Sequence, residues 1–155
     1  PCLAEAHYTL GLLYELSGIP EAVRCFREAR RLSPEKYPAD SQYTRIEFEQ
    51  VLNDAVADLP VLVVEALEDY PIVVADLPMV NELRQIQPRM SPQSLALVLG
   101  SDGSAAGPQK PCLLIFKRNV ERAFRDRETT AERLRETVIR EFSHALGFSD
   151  DDLEG

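Results

Sequence analysis

Apolar residues recur at three- and four-residue intervals along much of this chain, a spacing typical of helices with one buried face. Two such stripes occupy the first 33 residues. The first contains Ala4, Tyr8, Leu12 and Leu16, and the second contains Ala22, Phe26, Ala29 and Leu32. Gly18 between them suits a left-handed helix C-cap, and Pro34 stops the second stripe. The pattern therefore predicts a helical hairpin at the start of the chain.

The middle of the chain changes from helical spacing to short apolar runs. A helix is predicted from residue 43 to about 67, which Pro60 interrupts or restarts. Strands are predicted at 72–75, 95–99 and 112–117, because these runs are brief and rich in β-branched or other large apolar residues. The proline-rich stretch 77–94 predicts a loop with a turn of helix near 80–85. Residues 101–110 predict a flexible connection, and 119–124 a short helix or extended turn.

A final helix is predicted to start near Thr129, with Thr129 or Thr130 as its N-cap. Its buried face is a stripe of six residues, namely Leu134, Val138, Ile139, Phe142, Ala145 and Leu146. Arg140, Glu141 and His144 are interleaved with this stripe, so polar chemistry is concentrated at the end of the helix.

The N-terminal hairpin resembles a tetratricopeptide repeat over roughly 34 residues. The matching positions are Leu10, Gly11, Tyr14, Gly18, Ala22, Phe26, Ala29 and Pro34. Small residues at Gly11, Ala22 and Ala29 allow the two helices to approach closely. Because one repeat cannot bury both faces, we expect further repeats upstream or packing onto the next domain. An ordinary helical hairpin that caps a domain is the alternative interpretation.

The segment 140–150 resembles the signature of the minimal zincin-like metallopeptidases, which are small bacterial domains. The H-E-x-x-H motif of such enzymes places two histidines one helical turn apart, so that both reach one zinc ion. Here residues 140–144 read R-E-F-S-H, within the longer pattern E-x-x-H-x-x-G-x-x-D. The order of the predicted helices and strands from about Phe48 onward also resembles that family, so the resemblance covers roughly two thirds of the chain.

The resemblance implies a role for each matching residue. Glu141 takes the place of the general base, and His144 that of the second zinc ligand. Gly147 takes the place of the tight turn, and Asp150 that of the third ligand. Arg140 stands at the first ligand position and departs from the motif. Because arginine has no lone pair to donate and stays charged, it is not a ligand, and we expect zinc to be absent or weakly bound.

Other residues offer little to complete a metal site. The only histidines are His7 and His144, and His7 lies in the hairpin. Cys112 is a conceivable soft ligand but more often such a residue is a small buried hydrophobe. A further hypothesis is that the Arg140 guanidinium occupies the former metal position and pairs with Asp150 or Glu141. Without the resemblance, Glu141 and His144 would simply be polar residues of an amphipathic helix. The acidic tail, Asp150–Asp152 with Glu154, can be interpreted as a cation-binding run or as a solvated terminus, and we expect the solvated terminus.

Composition narrows the class of partners. The chain has 155 residues, a formal net charge of -9 and an isoelectric point near 4.7. This charge argues against nucleic acid or an anionic membrane surface as a partner. No apolar run is long enough to span a membrane, and no signal-peptide pattern opens the chain. The chain begins with Pro1, so we expect a fragment or processed piece. Three scattered cysteines favour the cytoplasm.

Together these patterns predict an α+β fold: a small zincin-like domain with a short mixed sheet and a C-terminal signature helix, preceded by an α-helical hairpin. The predicted boundaries are 1–36 for the hairpin, 37–44 for a linker and 45–155 for the zincin-like domain. Two functions remain open. One is a zincin-like peptidase with impaired or lost catalysis. The other is a non-catalytic module that binds protein or peptide partners through the hairpin or the vestigial cleft.

Overall fold

The computed structural model describes residues 2–39, 43–79, 91–100 and 110–154, which form helices around one small sheet. The helices are α1 (Cys2–Leu16), α2 (Ala22–Leu32), α3 (Arg45–Val56), α4 (Val61–Asp69), α5 (Lys117–Ala123), α6 (Arg127–Leu146) and α7 (Asp150–Glu154). The strands are β1 (Ile72–Ala75), β2 (Ala96–Leu99) and β3 (Cys112–Phe116). The predicted α+β class is confirmed. The predicted turn of helix near 80–85 and nearly all of the connection 101–110 lie outside the described residues.

The hairpin of α1 and α2 forms as its sequence predicts. Gly18 ends the first helix with a φ of 68°, which residues with a side chain rarely adopt. Gly11 is buried, and a Cβ atom added there would lie 2.8 Å from the Phe26 ring. The Phe26 ring also meets Tyr8 edge-on, with ring centroids 5.6 Å apart. The absence of a side chain at Gly11 is therefore what allows the aromatic ring to pack against α1.

The predicted helix at 43–67 is two helices, because Pro60 starts a new one. Thr44 caps α3: its hydroxyl oxygen accepts a hydrogen bond from the Glu47 amide, and the Glu47 carboxylate accepts one from the Thr44 amide. This reciprocal pair is a capping box. α3 ends at Val56, and α4 begins at Val61 directly after Pro60. Proline suits this position since it lacks the N–H that the start of a helix leaves unbonded.

The sheet has the order β1-β3-β2, with β3 in the centre. β1 pairs with β3 in parallel, and Ile72 lies opposite Leu113. β2 pairs with β3 antiparallel, and Leu97 lies opposite Leu114. The predicted mixed sheet is therefore confirmed, although β2 starts one residue later and β3 ends one residue earlier than predicted. The helix predicted at 119–124 starts two residues earlier, directly after β3.

The main core lies between the sheet and the helices α3 and α6. Its fully buried large side chains include Phe48, Val51, Leu113, Ile115, Leu134, Val138 and Phe142. The apolar stripe of α6 therefore faces α3 and the sheet, as its spacing predicts. Phe142 also meets Tyr70 edge-on, with ring centroids 5.8 Å apart. This packing fixes the rotation of α6 about its axis, and so decides which of its polar residues face outward.

The start of α6 differs from the prediction. Asp126, not Thr129 or Thr130, is the N-cap, and its carboxylate accepts a hydrogen bond from the Thr129 amide at 2.8 Å. Thr130 is fully buried, and its hydroxyl donates to the Asp126 carbonyl at 2.6 Å. Tyr43 and Thr130 also share a hydrogen bond between their hydroxyl groups. Thr130 therefore lies inside the first turn of α6, where its hydroxyl contacts Tyr43 in the segment before α3.

A cluster of charged side chains joins the hairpin to the sheet region. Glu15 of α1 accepts hydrogen bonds from Arg118, at 2.7 Å, and from Arg122, both on α5. The Arg122 guanidinium also lies 4.9 Å from the centroid of the Phe26 ring. The side chains of Glu15 and Arg122 are only 11% and 10% exposed. The hairpin therefore packs against α5 through a largely desolvated ion pair. Among the described helices, none is long and apolar enough to cross a membrane.

Candidate functional site

The candidate site lies at the carboxyl end of α6, where the buried stripe gives way to polar residues. Leu134, Val138 and Phe142 are completely buried and hold this part of the helix against the core. Arg140, Glu141 and His144 project from the remaining faces of the same two turns. The helix therefore positions these three side chains through packing of their apolar neighbours.

Glu141 occupies an environment unlike that of an ordinary surface carboxylate. Its side chain is 24% exposed. Burial raises the pKa of the Glu141 carboxyl above its usual value, while the positive charges of Arg140 and His144 act in the opposite direction. A raised pKa brings a carboxyl closer to the range in which a general base works. The role of Glu141 as a general base stays a prediction.

Arg140 is more exposed than its neighbour and is held only loosely. Its side chain is 61% exposed, and its Nε atom lies 3.9 Å from Oε1 of Glu141. This separation is longer than the roughly 2.7–2.9 Å of a charge-assisted hydrogen bond. Glu136, one turn earlier, instead pairs with Arg133 at 2.8 Å. Within the part of the chain that the structure describes, no ion pair joins Arg140 to Asp150. Of the two partners proposed for the Arg140 guanidinium, the structure therefore shows a contact with Glu141 and none with Asp150.

The turn predicted at Gly147 is present. Gly147 adopts a left-handed conformation with φ 75° and ψ 28°, and its amide donates to the Ser143 carbonyl at 2.9 Å. This is the usual way in which glycine ends a helix. Three residues later α7 begins at Asp150. The turn thus ends α6 three residues after His144.

The acidic run 150–154 forms the short helix α7, and its side chains have separate tasks. Ser149 donates its amide and its hydroxyl to the Asp152 carboxylate, at 2.8 and 2.6 Å. These bonds, the hydroxyl foremost, lower the pKa of Asp152. Leu153 packs against the main core. Asp150–Asp152 and Glu154 are all exposed, as expected for a solvated terminus, and Asp152 also caps the start of α7.

Among the residues that the structure describes, no three candidate ligands converge as a zinc site requires. Catalytic zinc has three protein ligands in most enzymes. Nowhere in the described ranges do three or more histidine, cysteine, aspartate or glutamate side chains form a group that could hold a metal ion. As placed, the described residues therefore provide no three-ligand group for zinc. His144 and Asp150 as metal ligands stay a prediction.

The two residues that could have supplemented the ligands have other surroundings. Cys112 is partly buried and packs against the small apolar cluster of Leu99, Leu114 and Phe116. His7 belongs to the hairpin and lies near Glu28 of α2, whose carboxyl pKa is lowered mainly by Arg31 and also by the charge of His7. Cys112 is therefore a partly buried neighbour of an apolar cluster, and His7 belongs to the hairpin.

A comparison with family models identifies the domain. The model described as zincin-like metallopeptidase matches residues 67–155, which is more than half of the chain. The chain therefore belongs to the zincin-like metallopeptidase family. The matched part runs from the end of α4 through the sheet to α7, so it contains every residue predicted for the site. A search of curated proteins found no match.

The capping role of Ser149 and Asp152 was missed in the sequence, although a signal for it was present. Residues 149–152 read S-D-D-D, and a serine followed three residues later by an acidic residue is a capping-box pattern. The resemblance drew attention to Asp150 alone. The pattern indicates that Asp152 caps the start of α7. It gives no capping role to Asp150 or Asp151.

Proposed function

We propose that this protein is a zincin-like family member in which peptidase catalysis is impaired or lost. The observation that carries this proposal is the identity of residue 140. The family motif calls for a neutral nitrogen donor directly before the glutamate, and here an arginine precedes Glu141. A guanidinium offers no lone pair and repels a cation, so we expect zinc to be absent or weakly held.

The local geometry supports the interpretation that an arginine at position 140 alters the candidate metal site and does not serve the packing of α6. Its side chain is largely exposed and makes one long ion pair, so no packing requirement of α6 explains an arginine there. Glu141, His144 and the Gly147 turn keep the rest of the motif on the same stretch of helix. A histidine introduced at position 140 would lie one turn from His144.

The first test restores that ligand. The variant Arg140→His is expected to bind zinc more tightly than the native protein, measured by elemental analysis after dialysis against buffered zinc. Arg133→His is the matched control, because Arg133 is an equally exposed arginine of the same helix that is remote from the motif. About one equivalent of tightly held zinc in the native protein would overturn the proposal. No gain in Arg140→His would show that the site has also decayed at other positions.

The second test measures peptidase activity with and without added zinc. We expect no activity above background in the native protein and none in Glu141→Gln. Activity that is present in the native protein and abolished by Glu141→Gln would instead establish an active peptidase with Glu141 in the reaction.

We propose as the second candidate a non-catalytic module that binds protein or peptide partners through a tetratricopeptide-like hairpin or the vestigial cleft. The outer face of α1 favours it, because Leu3 and Leu13 are more than half exposed, and Leu13 borders an open groove of about 500 Å³ together with Ala6 and Leu10. Exposed apolar side chains that line up on one helix mark binding surfaces more often than scattered ones do.

We also propose a cytoplasmic, bacterial setting for this protein. The free thiols of Cys25 and Cys112 support the cytoplasm, where thiols stay reduced.

A further inference from the structure

The arginines of α2 differ from the other described arginines in their contacts. Outside α2, every arginine in the described ranges makes an ion pair or a hydrogen bond: Arg45, Arg118, Arg122, Arg125, Arg127, Arg133, Arg135 and Arg140. Within α2 only Arg31 does so, with Glu28 at 2.9 Å. Neither an ion pair nor a hydrogen bond joins Arg24, Arg27 or Arg30 to the part of the chain that the structure describes.

The same helix is the most basic one in an acidic chain. α2 contains four arginines and one glutamate, whereas the whole chain carries a net charge of -9. Ala22, Cys25 and Ala29 form its buried face. Arg24, Arg27 and Arg31 stand at intervals of three and four residues on the opposite side, so they form one stripe about 10 Å long. We call these three residues the basic stripe. Arg31 of the stripe pairs with Glu28, whereas Arg24 and Arg27 make no ion pair with the described residues. Arg30 lies outside the stripe, and its Nε atom is buried.

An apolar residue adjoins the basic stripe. Val23 is 63% exposed and lies one turn before Arg27. A protein segment can cover a valine with its own side chains while its carboxylates meet the guanidinium groups, and arginine binds carboxylates through two parallel hydrogen bonds. A nucleic acid or an anionic bilayer would extend well beyond the stripe and meet the acidic remainder of the molecule. The local charge therefore favours a short acidic segment.

We propose that the basic stripe docks an acidic helical segment of a partner protein, with carboxylates one turn apart facing Arg24, Arg27 and Arg31. This inference rests on the binding role proposed for the hairpin and names its partner class. It is independent of zinc and of Glu141, because all of its residues lie in α2.

The experiment titrates the full chain into a fluorescently labelled helical peptide of alanine and glutamate, about 15 residues long. Three glutamates are placed at i, i+3 and i+7, and binding is followed by anisotropy at low and at moderate salt. A second peptide has the same composition with the three glutamates distributed around the helix. We expect the matched peptide to bind at least about tenfold more tightly than the second one, and binding to weaken with salt.

Charge-reversal variants locate the surface. The double variant Arg24→Glu and Arg27→Glu is expected to weaken binding about tenfold or more. The matched control is Arg45→Glu with Arg133→Glu, which makes the same change in net charge at two exposed arginines elsewhere. If the first double variant fails to fold by circular dichroism, Arg24→Gln with Arg27→Gln replaces it, with a smaller loss expected.

Several results would overturn the proposal. These are no binding of the matched peptide, equal binding of both peptides, or an equal loss in the control variant. Tighter binding of single-stranded DNA or of phosphatidylserine vesicles through the same arginines would overturn it as well. The zinc and peptidase assays test α6 alone, so their outcome leaves this result unchanged.

Discussion

Two arginine–glutamate pairs in this molecule differ in almost every physical respect. Arg122 of α5 and Glu15 of α1 are 107 residues apart in sequence, and both side chains are about nine-tenths buried. Arg140 and Glu141 are neighbours on one helix, 3.9 Å apart, and Arg140 is largely exposed. The first pair is surrounded by Arg118 and the Phe26 ring, whereas the second has no comparable support. The contrast predicts that removing one partner destabilises the fold in the first pair and has little effect in the second.

Desolvation explains why the two pairs should respond differently to substitution. Removing one partner of a buried pair leaves the other charge in a poorly solvated place, which costs far more than the loss of an exposed pair. A substitution at Arg140 can therefore report on chemistry with little change in stability. A substitution at Arg122 reports on how the hairpin is attached.

The largest effect is expected from Arg122→Leu, which leaves Glu15 largely buried with only Arg118 as its partner. We expect a loss of about 3 kcal/mol in the free energy of unfolding, measured by urea denaturation. The double variant Glu15→Leu with Arg122→Leu should lose less than the single variant, because no buried carboxylate is then left behind. A single variant as stable as the native protein would show that this pair does not hold the hairpin.

A smaller effect concerns the start of α6. The hydrogen bond from the Thr129 amide lowers the pKa of Asp126. A carboxyl whose pKa is lower in the folded state stabilises the fold above its ordinary pKa, and that contribution is lost as the pH falls through the folded-state value. Asp126→Asn keeps an acceptor for the cap but cannot titrate.

We therefore expect the Asp126→Asn variant to lose less stability than the native protein between pH 5 and pH 2, roughly the range in which aspartate titrates. Thermal unfolding followed by circular dichroism across this range measures the difference. Parallel curves for the two proteins would contradict the expected role of the ionised cap.

The smallest effect is expected from Arg140→Ala. Because the side chain is exposed and its ion pair is long, the free energy of unfolding should change by less than about 0.5 kcal/mol. Urea denaturation of Arg140→Ala and Arg122→Leu under the same conditions compares the two losses in the free energy of unfolding directly. A loss of the size expected for Arg122→Leu would mean that Arg140 has a structural role, and the contrast between the two pairs would fail.

Local elements were predictable because their causes are local. The stripes of α1, α2 and α6 follow from spacing alone, and Gly18 and Gly147 end helices because they adopt left-handed conformations. The break at Pro60 has a similarly local reason. The cap of α6 was assigned to the wrong residue, although Asp126 was available, because threonine and aspartate compete for the same position. The predicted division into domains at 36 and 44 stays a prediction.

The candidate site was predictable in its residues but not in its environment. Arg140, Glu141, His144, Gly147 and Asp150 follow from a linear motif, and the match of the family model to 67–155 supports the resemblance on which they rest. The partial burial of Glu141 depends on how α6 is rotated against the core, which no local spacing specifies. Local spacing also does not specify which ligand side chains come together, so the absence of a three-ligand group among the described residues was not predictable from the sequence.

The sequence by itself determined the helices and strands, the family and the arginine at the first ligand position, because each depends on residues close together in the chain. Only the tertiary structure decided that β3 is central, that Glu15 meets Arg118 and Arg122, and that Arg24, Arg27 and Arg31 of α2 face outward. These features depend on packing between distant segments, where burial and desolvation select one arrangement among many that the local pattern allows.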